Sequence, residues 1–135
     1  MADKTETRKK EFTFRGKTID ELKKLDVREF VNFLGSRERR TVLRQFQEIE
    51  KFINRSREKE RKNKKIKTHQ RDLIIVPQMV GMKLNIYNGH TFVPIEVIGE
   101  MLGHRFGEFS PTRNKVKHGS AGIGATKGTK SKSKK

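Results

Sequence analysis

The chain has 135 residues, of which 31% are hydrophobic and 36% are charged, and its formal net charge is +17. This length predicts one domain, and the low hydrophobic fraction predicts a small core. Cysteine is absent, which excludes disulfides and thiolate metal sites. The sequence lacks both a long apolar run and an apolar region near its N-terminus, so we expect no spanning helix, no secretory signal and a cytoplasmic location. The charge favours nucleic acid as the partner over an anionic membrane.

The positive charge is concentrated in two stretches. Residues 1–35 carry a net +2 and residues 36–71 a net +9, whereas residues 72–112 carry −2 and residues 113–135 carry +8. A protein that only needs to be soluble scatters both signs over its surface. We therefore predict that the two basic stretches bind a polyanion and that the nearly neutral stretch between them supplies much of the fold.

Residues 1–11 are predicted to form a disordered arm and residues 12–65 a helical region, with Phe12 and Phe14 opening a docked segment. Two capping boxes predict the starts of short helices, Thr18 with Glu21 and then Asp26 with Glu29. A third helix is predicted to begin at Ser36. The apolar stripes that these helices would bury lie at Leu22, Leu25, Val27, Phe30, Val31, Leu34, Val42, Phe46, Ile49 and Ile53.

Residues 54–65 contain no apolar side chain, yet Glu58 to Lys62 and Glu60 to Lys64 have the spacing of helical ion pairs. The third helix is therefore predicted to continue without support from a core. It is either a solvated helix or one that a polyanion holds. In the second case its RNA-binding residues would be Arg57, Arg61 and Lys65, which lie four apart on one face.

A small sheet is predicted in residues 66–112. Ile66 to Arg71 alternate as a strand, a buried run from Leu73 to Val76 follows, and Asn88-Gly89 predicts a hairpin with a two-residue loop in which both residues have positive φ. The loop sets Tyr87 opposite His90. The first strand would present Lys67, His69 and Arg71 on one side.

The predicted hairpin has a core face and a polar face. The core face would hold Leu84, Ile86, Val93, Ile95 and Val97. The polar face would hold Lys83, Asn85, Tyr87, His90 and Phe92, which either read RNA bases or pack under a helix. Pro94 predicts an edge strand, and a short helix that Gly103 ends would close the unit. The expected fold is α+β, with N-terminal helices, a small and mostly antiparallel three-stranded sheet, a short helix and a disordered basic tail over residues 113–135.

A set of residues in fixed order resembles the small-subunit ribosomal protein nineteen family, in its archaeal and eukaryotic branch. The set comprises Asn88-Gly89-His90, Val97, Leu102-Gly103-His104, Phe106-Gly107-Glu108-Phe109 and Thr112-Arg113, with Lys67-Thr68-His69 and Ile75-Val76-Pro77 before them. The resemblance implies that the partner is small-subunit rRNA in the subunit head, beside ribosomal protein thirteen, with the tail reaching toward the decoding region and transfer RNA. Together with the charge pattern it predicts further RNA-binding residues at Lys67, His69, Arg71, Lys83, Asn85, Tyr87, Asn88, Gly89, His90, His104, Arg105, Thr112, Arg113, Lys115, Lys117 and His118.

Catalytic and cofactor chemistry is not expected. The four histidines are scattered and lack the spacing of a metal site. Glu100, His104 and Glu108 are spaced by four, but Gly103 and Gly107 interrupt that stretch, so we expect His104 and Glu108 to contact RNA or to fix a turn. The glycines of the tail match neither nucleotide-binding template. A free architectural nucleic-acid-binding protein remains the alternative, because the same charge pattern would serve it.

Overall fold

The structure, a computed structural model, describes residues 12–115. In these residues an N-terminal hairpin and four helices precede a three-stranded sheet. The strands and helices are β1 (Thr13–Phe14), β2 (Lys17–Thr18), α1 (Ile19–Lys24), α2 (Val27–Phe30), α3 (Ser36–Arg44), α4 (Phe46–Arg61), β3 (Ile66–Thr68), β4 (Lys83–Tyr87) and β5 (Phe92–Glu96). The predictions for residues 1–11 and for 116–135 lie outside the described residues.

The N-terminal segment is docked, as its aromatic residues predict, but it is a β-hairpin that the sequence analysis did not predict. Its turn places both Arg15 (φ 48°) and Gly16 (φ 81°) in the left-handed region. Phe14 packs on Phe30 with ring centroids 5.8 Å apart. The capping box of α1 is confirmed, since Thr18 Oγ1 accepts from the Glu21 N–H at 3.4 Å and the Glu21 carboxylate accepts from the Thr18 N–H at 3.3 Å.

The predicted third helix is two helices. It begins at Ser36, with Gly35 and not Ser36 as the N-cap, and it breaks at Gln45, whose φ of −101° and ψ of 16° are not helical. The amide of Gln45 donates to the Asp72 carboxylate. This tertiary contact is invisible in the periodicity of the sequence. The second helix continues to Arg61, well past the last apolar residue at Ile53, as predicted.

The sheet has three strands in the order β3-β4-β5, but its pairing differs in detail from the prediction. The β4-β5 pair is antiparallel, whereas β3 pairs with β4 in parallel. Parallel neighbours need a long crossover, and residues 69–82 supply it. Strand β5 lies at the edge, where Pro94 costs no ladder hydrogen bond.

The hairpin register is shifted by two residues from the predicted one. Tyr87 pairs with Phe92 and Ile86 pairs with Val93, so four residues from Asn88 to Thr91 form the loop. Gly89 alone of these has positive φ, at 98°. Asn88 needs no left-handed backbone because its Oδ1 accepts from the N–H groups of His90 (2.9 Å) and Thr91 (2.7 Å). A shift of two keeps the strand residues on their predicted faces, but it moves His90 from the predicted polar face into the loop.

The crossover from β3 to β4 is held by an irregular ladder. The N–H of Ile75 donates to His104 O at 2.9 Å, and the N–H of Phe106 donates to Leu73 O at 3.1 Å. Leu73 to Val76 are buried, as predicted. The predicted helix after the hairpin is only a 3-10 turn at Gly99–Met101, followed by a second one at Phe106–Phe109. The glycines that follow and interrupt these turns limit them to a few residues each.

One hydrophobic core joins the helices to the sheet. Its largest fully buried side chains come from both halves of the described chain, including Phe30 and Ile49 from the helices and Leu84 and Phe106 from the later segments. The basic half of α4 is therefore anchored by its own first two turns. This anchoring positions the exposed basic surface of α4.

Candidate nucleic-acid interface

The second half of α4 projects an uncompensated basic face. Arg57 and Arg61 are exposed, and so is Lys65 in the connection to β3. Within residues 12–115 the only ion pair is formed by His104 and Glu108. The predicted pairs between Glu58 and Lys62 and between Glu60 and Lys64 are therefore not formed, and the helix ends before Lys64. The cations of this face are left free for an outside anion.

A groove of about 600 Å³ separates the end of α4 from the polar face of the hairpin. We call it the hairpin groove. Its lining residues are Glu60, Asn63, Lys64, Lys65, Ile66, Gly81, Lys83, Asn85, Phe92 and Pro94. Asn85 is held in place by donation from its Nδ2 to Ile66 O at 3.2 Å. The groove thus combines an apolar wall, an oriented amide, three ammonium groups and the carboxylate of Glu60.

Three rings pack against one another beside this groove in tilted and edge-on geometries. The centroid of His69 lies 4.5 Å from that of Tyr87 and 5.2 Å from that of Phe92, and Tyr87 lies 5.1 Å from Phe92. Lys67 Nζ lies 5.1 Å from the Phe92 centroid. A hydrogen bond also holds the Tyr87 side chain, since its hydroxyl donates to Gly89 O at 2.9 Å. We call His69, Tyr87 and Phe92 the aromatic cluster. His69 is its exposed member, whereas Tyr87 and Phe92 are half-buried.

Arg71 is turned inward. Its guanidinium donates to the carbonyl oxygens of Tyr87 (2.7 Å), Gly107 (3.0 Å) and Ser110 (2.6 Å). Strand β3 ends at Thr68, so Arg71 does not share the side of Lys67 and His69 as the predicted strand required. These three hydrogen bonds of Arg71 join the sheet to the C-terminal turns, so its guanidinium is not part of the interface.

The predicted residues after the hairpin do not join the groove. Arg105 Nη2 donates to Thr41 Oγ1 of α3 at 3.3 Å, which places this guanidinium beside the helices. His104 Nδ1 lies 2.7 Å from Glu108 Oε2. The backbone N–H of Arg105 donates to Glu108 Oε1 at 3.1 Å, and this bond, ahead of the contact with His104, lowers the pKa of Glu108. His104 and Glu108 therefore fix a turn, one of their two predicted roles.

The remaining predicted residues divide into two groups. His90 in the hairpin loop is exposed, as are Thr112, Arg113 and Lys115 at the end of the described chain. Lys117 and His118 lie outside the described residues. Sequence reasoning missed Asn63 and Lys64 in the groove, although their place directly after a polar helix and before a basic strand was a usable signal.

Residues 12–115 contain neither a metal site nor a membrane-spanning helix. No group of three or more histidine or acidic residues there is arranged to hold a metal ion. No helix of this stretch is long and apolar enough to cross a membrane.

Comparison with known proteins identifies the family. The profile of ribosomal protein S19 matches residues 36–118. Small ribosomal subunit protein uS19 of Methanococcoides burtonii is 46% identical over 123 residues, covering 91% of this chain and 88% of that protein. The uS19 of Methanocella arvoryzae is 48% identical over 131 residues, covering 96% and 91%. The chain therefore belongs to the S19 family of small-subunit ribosomal proteins, which are structural, rRNA-binding components of a ribonucleoprotein that serves translation and are not enzymes.

Proposed function

We propose that this protein is a structural constituent of the cytoplasmic small ribosomal subunit and that it binds folded rRNA of the subunit head. The surfaces that bind the RNA are the hairpin groove, the aromatic cluster and the basic face of α4. Ribosomal protein thirteen is its proposed neighbour there. The basic tail, net +8 from residue 113 onward, is proposed to extend toward the decoding region and transfer RNA. The family resemblance of the Asn88-Gly89-His90 and Leu102-Gly103-His104 segments supports this placement.

The observation that carries the proposal is the hairpin groove. Lys64, Lys65 and Lys83 line it, and the part of the chain that the structure describes places no carboxylate within 4.0 Å of their ammonium groups. Ammonium groups in this state attract phosphate, and each phosphate they neutralise releases counterions from the RNA. The groove is wide enough to accept a nucleotide between α4 and the hairpin.

The wall of the groove suits an unstacked base. Phe92 offers a half-buried ring whose stacking with a base is worth about 1–3 kcal/mol. The Oδ1 of Asn85 accepts no hydrogen bond from the described residues, so it can accept one from an exocyclic amino group of a base. Phosphate contacts of this kind position the protein, whereas the amide and ring contacts select the nucleotide. Folded rRNA, with its splayed loops and bulges, presents such nucleotides.

The test is binding to a head-domain rRNA fragment at several salt concentrations. Replacing Lys64, Lys65 and Lys83 with Gln removes three charges, and we expect the slope of log K against log salt to become shallower by about two to three units. Replacing Arg15, Lys23 and Lys24 with Gln removes three exposed charges elsewhere and is the matched control. A groove variant with the wild-type slope and affinity would overturn the assignment of the groove to RNA.

Base stacking is tested separately by Phe92→Leu. Loss of the ring should weaken binding by about 1–3 kcal/mol and leave the salt slope unchanged, because no charge is removed. The free architectural protein remains the alternative to a ribosomal constituent. Co-sedimentation with small subunits in high salt distinguishes the two, since only a built-in constituent stays with the particle.

A further inference from the structure

A second concentration of arginine lies on α3, a helix in which the sequence predicted no individual RNA-binding residue. Arg37, Arg40 and Arg44 fall at i, i+3 and i+7 and line a pocket of about 350 Å³ together with Thr41 and Gln45. All three arginines are exposed. Arg105 reaches the same place from the C-terminal turns, where its guanidinium donates to Thr41 Oγ1 at 3.3 Å. We call Arg37, Arg40, Arg44 and Arg105 the α3 arginine cluster.

A neighbouring arginine of α3 differs from the exposed arginines of the cluster in the hydrogen bonds that its side chain makes. Arg39 lies on the same helix, but its guanidinium donates to Val31 O at 3.3 Å and to Asn32 O at 3.0 Å. The other arginines of α3 make no hydrogen bond to the described chain through their side chains, and no carboxylate of residues 12–115 lies within 4.0 Å of them. The helix thus contains one arginine used for folding and three that are unused.

Such clustering is unfavourable for the free protein. Arg40 and Arg44 are like charges at i and i+4, and Arg37 and Arg40 are like charges at i and i+3. Like charges at these spacings destabilise a helix. No hydrogen bond or ion pair within residues 12–115 compensates this repulsion. An external anion compensates all of these charges at once, and guanidinium groups match the geometry of phosphate oxygens in a bidentate way.

The pocket that the cluster lines includes a residue at one end of α4, and the hairpin groove includes residues just past its other end. Gln45 lies at the start of that 16-residue helix and Lys64 follows its end. At 1.5 Å rise per residue the helix is about 24 Å long. No single phosphate can contact both surfaces, and neighbouring phosphates along one strand are far closer together than this.

We propose that the α3 arginine cluster is a second phosphate-binding site, which holds a backbone segment of the same rRNA distinct from the segment in the hairpin groove. This inference rests on the proposed function. The contacts are to phosphate and not to bases, so they position the RNA without selecting its sequence. Helix α4 acts as a rigid spacer, and the protein pins two RNA segments at a fixed separation.

The experiment uses the full chain, the head-domain rRNA fragment and hydroxyl-radical footprinting. The variant Arg37→Gln/Arg40→Gln/Arg44→Gln should weaken binding at least tenfold near physiological salt and make the salt slope shallower by about two to three units. It should lose protection of one RNA segment while keeping the segment that the Lys64, Lys65 and Lys83 variant loses. The two triple variants combined should have additive effects on log K, as distant sites do.

A second variant separates charge from geometry. Changing the same three arginines to Lys keeps the charge and removes the bidentate fork, so the salt slope should stay near that of the wild type while affinity falls. Thermal melting of all variants reports whether they fold. The charge-matched control at Arg15, Lys23 and Lys24 should change the slope by less than one unit.

Several outcomes would overturn the inference. An α3 Gln variant that binds and protects RNA as the wild type does would remove the site while leaving the proposed function standing. Loss of the same protected segment in both triple variants would show one diffuse surface. Loss of binding to anionic vesicles without any change in RNA binding would make the cluster a lipid site. A wild type whose rRNA binding is insensitive to salt would refute the proposed function itself, and this inference with it.

Discussion

Arg71 and Arg57 are the same residue type, yet they belong to regions with opposite uses. Arg71 lies in the brace between the sheet and the C-terminal turns, where three backbone carbonyls accept from its guanidinium. Arg57 lies on the exposed half of α4, where it makes no hydrogen bond to the described residues. The difference shows that the fold uses the charge of Arg71 and does not use that of Arg57, which we propose binds RNA. Substitutions should separate the two roles cleanly.

The largest effect on stability is expected at Arg71. Changing Arg71→Met leaves three carbonyl oxygens without their donor, and hydrogen bonds to charged groups are worth about 1.5–3 kcal/mol each. We expect the free energy of unfolding to fall by about 3 kcal/mol in urea titration, because part of the loss is recovered by relaxation and by water.

Arg57→Met is the matched control for that experiment. It should change the free energy of unfolding by less than about 0.5 kcal/mol, since the side chain is exposed and unpartnered among the described residues. Equal stability of the two variants would break the comparison between the brace and the exposed helix.

A smaller loss is expected at Asn88, which also bonds its own chain. Its Oδ1 accepts from two backbone N–H groups of the loop, at 2.9 and 2.7 Å. Asn88→Ala should cost about 1–2 kcal/mol in the same titration. Asn88→Asp keeps the acceptor and should retain most of the stability, so a similar loss in both variants would mean that the acceptor is not what holds the loop.

The exposed face of α4 should contribute nothing to stability. Replacing Arg57, Arg61 and Lys65 with Gln should leave the free energy of unfolding within about 0.5 kcal/mol of the wild type. The salt slope of RNA binding should nevertheless become shallower by about two to three units. An unchanged slope would indicate that this half of α4 is a solvated helix, the alternative that its sequence leaves open.

The smallest effect is expected from the turn that Glu108 fixes. Its carboxylate accepts from the Arg105 N–H, which lowers the pKa of Glu108 from the ordinary 4.5. A carboxyl group whose folded pKa is depressed stabilises the fold above its unfolded pKa and loses that contribution as pH falls through the folded pKa. Glu108→Gln should therefore melt slightly below the wild type at pH 6, with the gap closing below about pH 4.

The matched control for the pH experiment is Glu58→Gln. Glu58 is exposed on α4 and forms no ion pair in the described part of the chain. Its melting temperature should track that of the wild type at every pH. A gap for Glu108→Gln that persists unchanged to pH 3 would mean that the effect comes from packing and not from ionisation.

Local patterns predicted the fold well where short-range chemistry decides it. The capping box at Thr18, the edge position of Pro94 and the buried run from Leu73 to Val76 all follow from neighbouring residues. Predictions failed where a distant partner decides. The break at Gln45 depends on Asp72, and the parallel pairing of β3 depends on a crossover whose path no local pattern reveals.

The candidate site was predictable in composition more than in arrangement. Lys83 and Asn85 share one groove, as the predicted polar face of the hairpin indicates, and Lys65 from the predicted basic helix face joins them. Arg105 does not, because its partner Thr41 lies 64 residues away in sequence. Three members of the α3 arginine cluster, Arg37, Arg40 and Arg44, were missed although their spacing was visible, because charge alone does not tell an arginine that bonds the fold from one that binds a ligand. Its fourth member, Arg105, was among the predicted RNA-binding residues.

The contact between the two ends of the described chain has a consequence for synthesis. A side chain at Gly99 would lie 2.8 Å from the ring of Phe12 and 2.7 Å from Ile19, so the N-terminal hairpin packs tightly on a turn made much later. At translation rates of about 5–20 residues per second, roughly 4–17 s pass between the synthesis of the hairpin and the synthesis of that turn. During this interval Phe12 lacks its contact with Gly99, whereas Phe14 already has Phe30 as a partner. In a chain that terminates before Gly99 the Phe12 ring never gains this contact, so we expect proteases to cleave its N-terminal hairpin more readily than that of the finished protein.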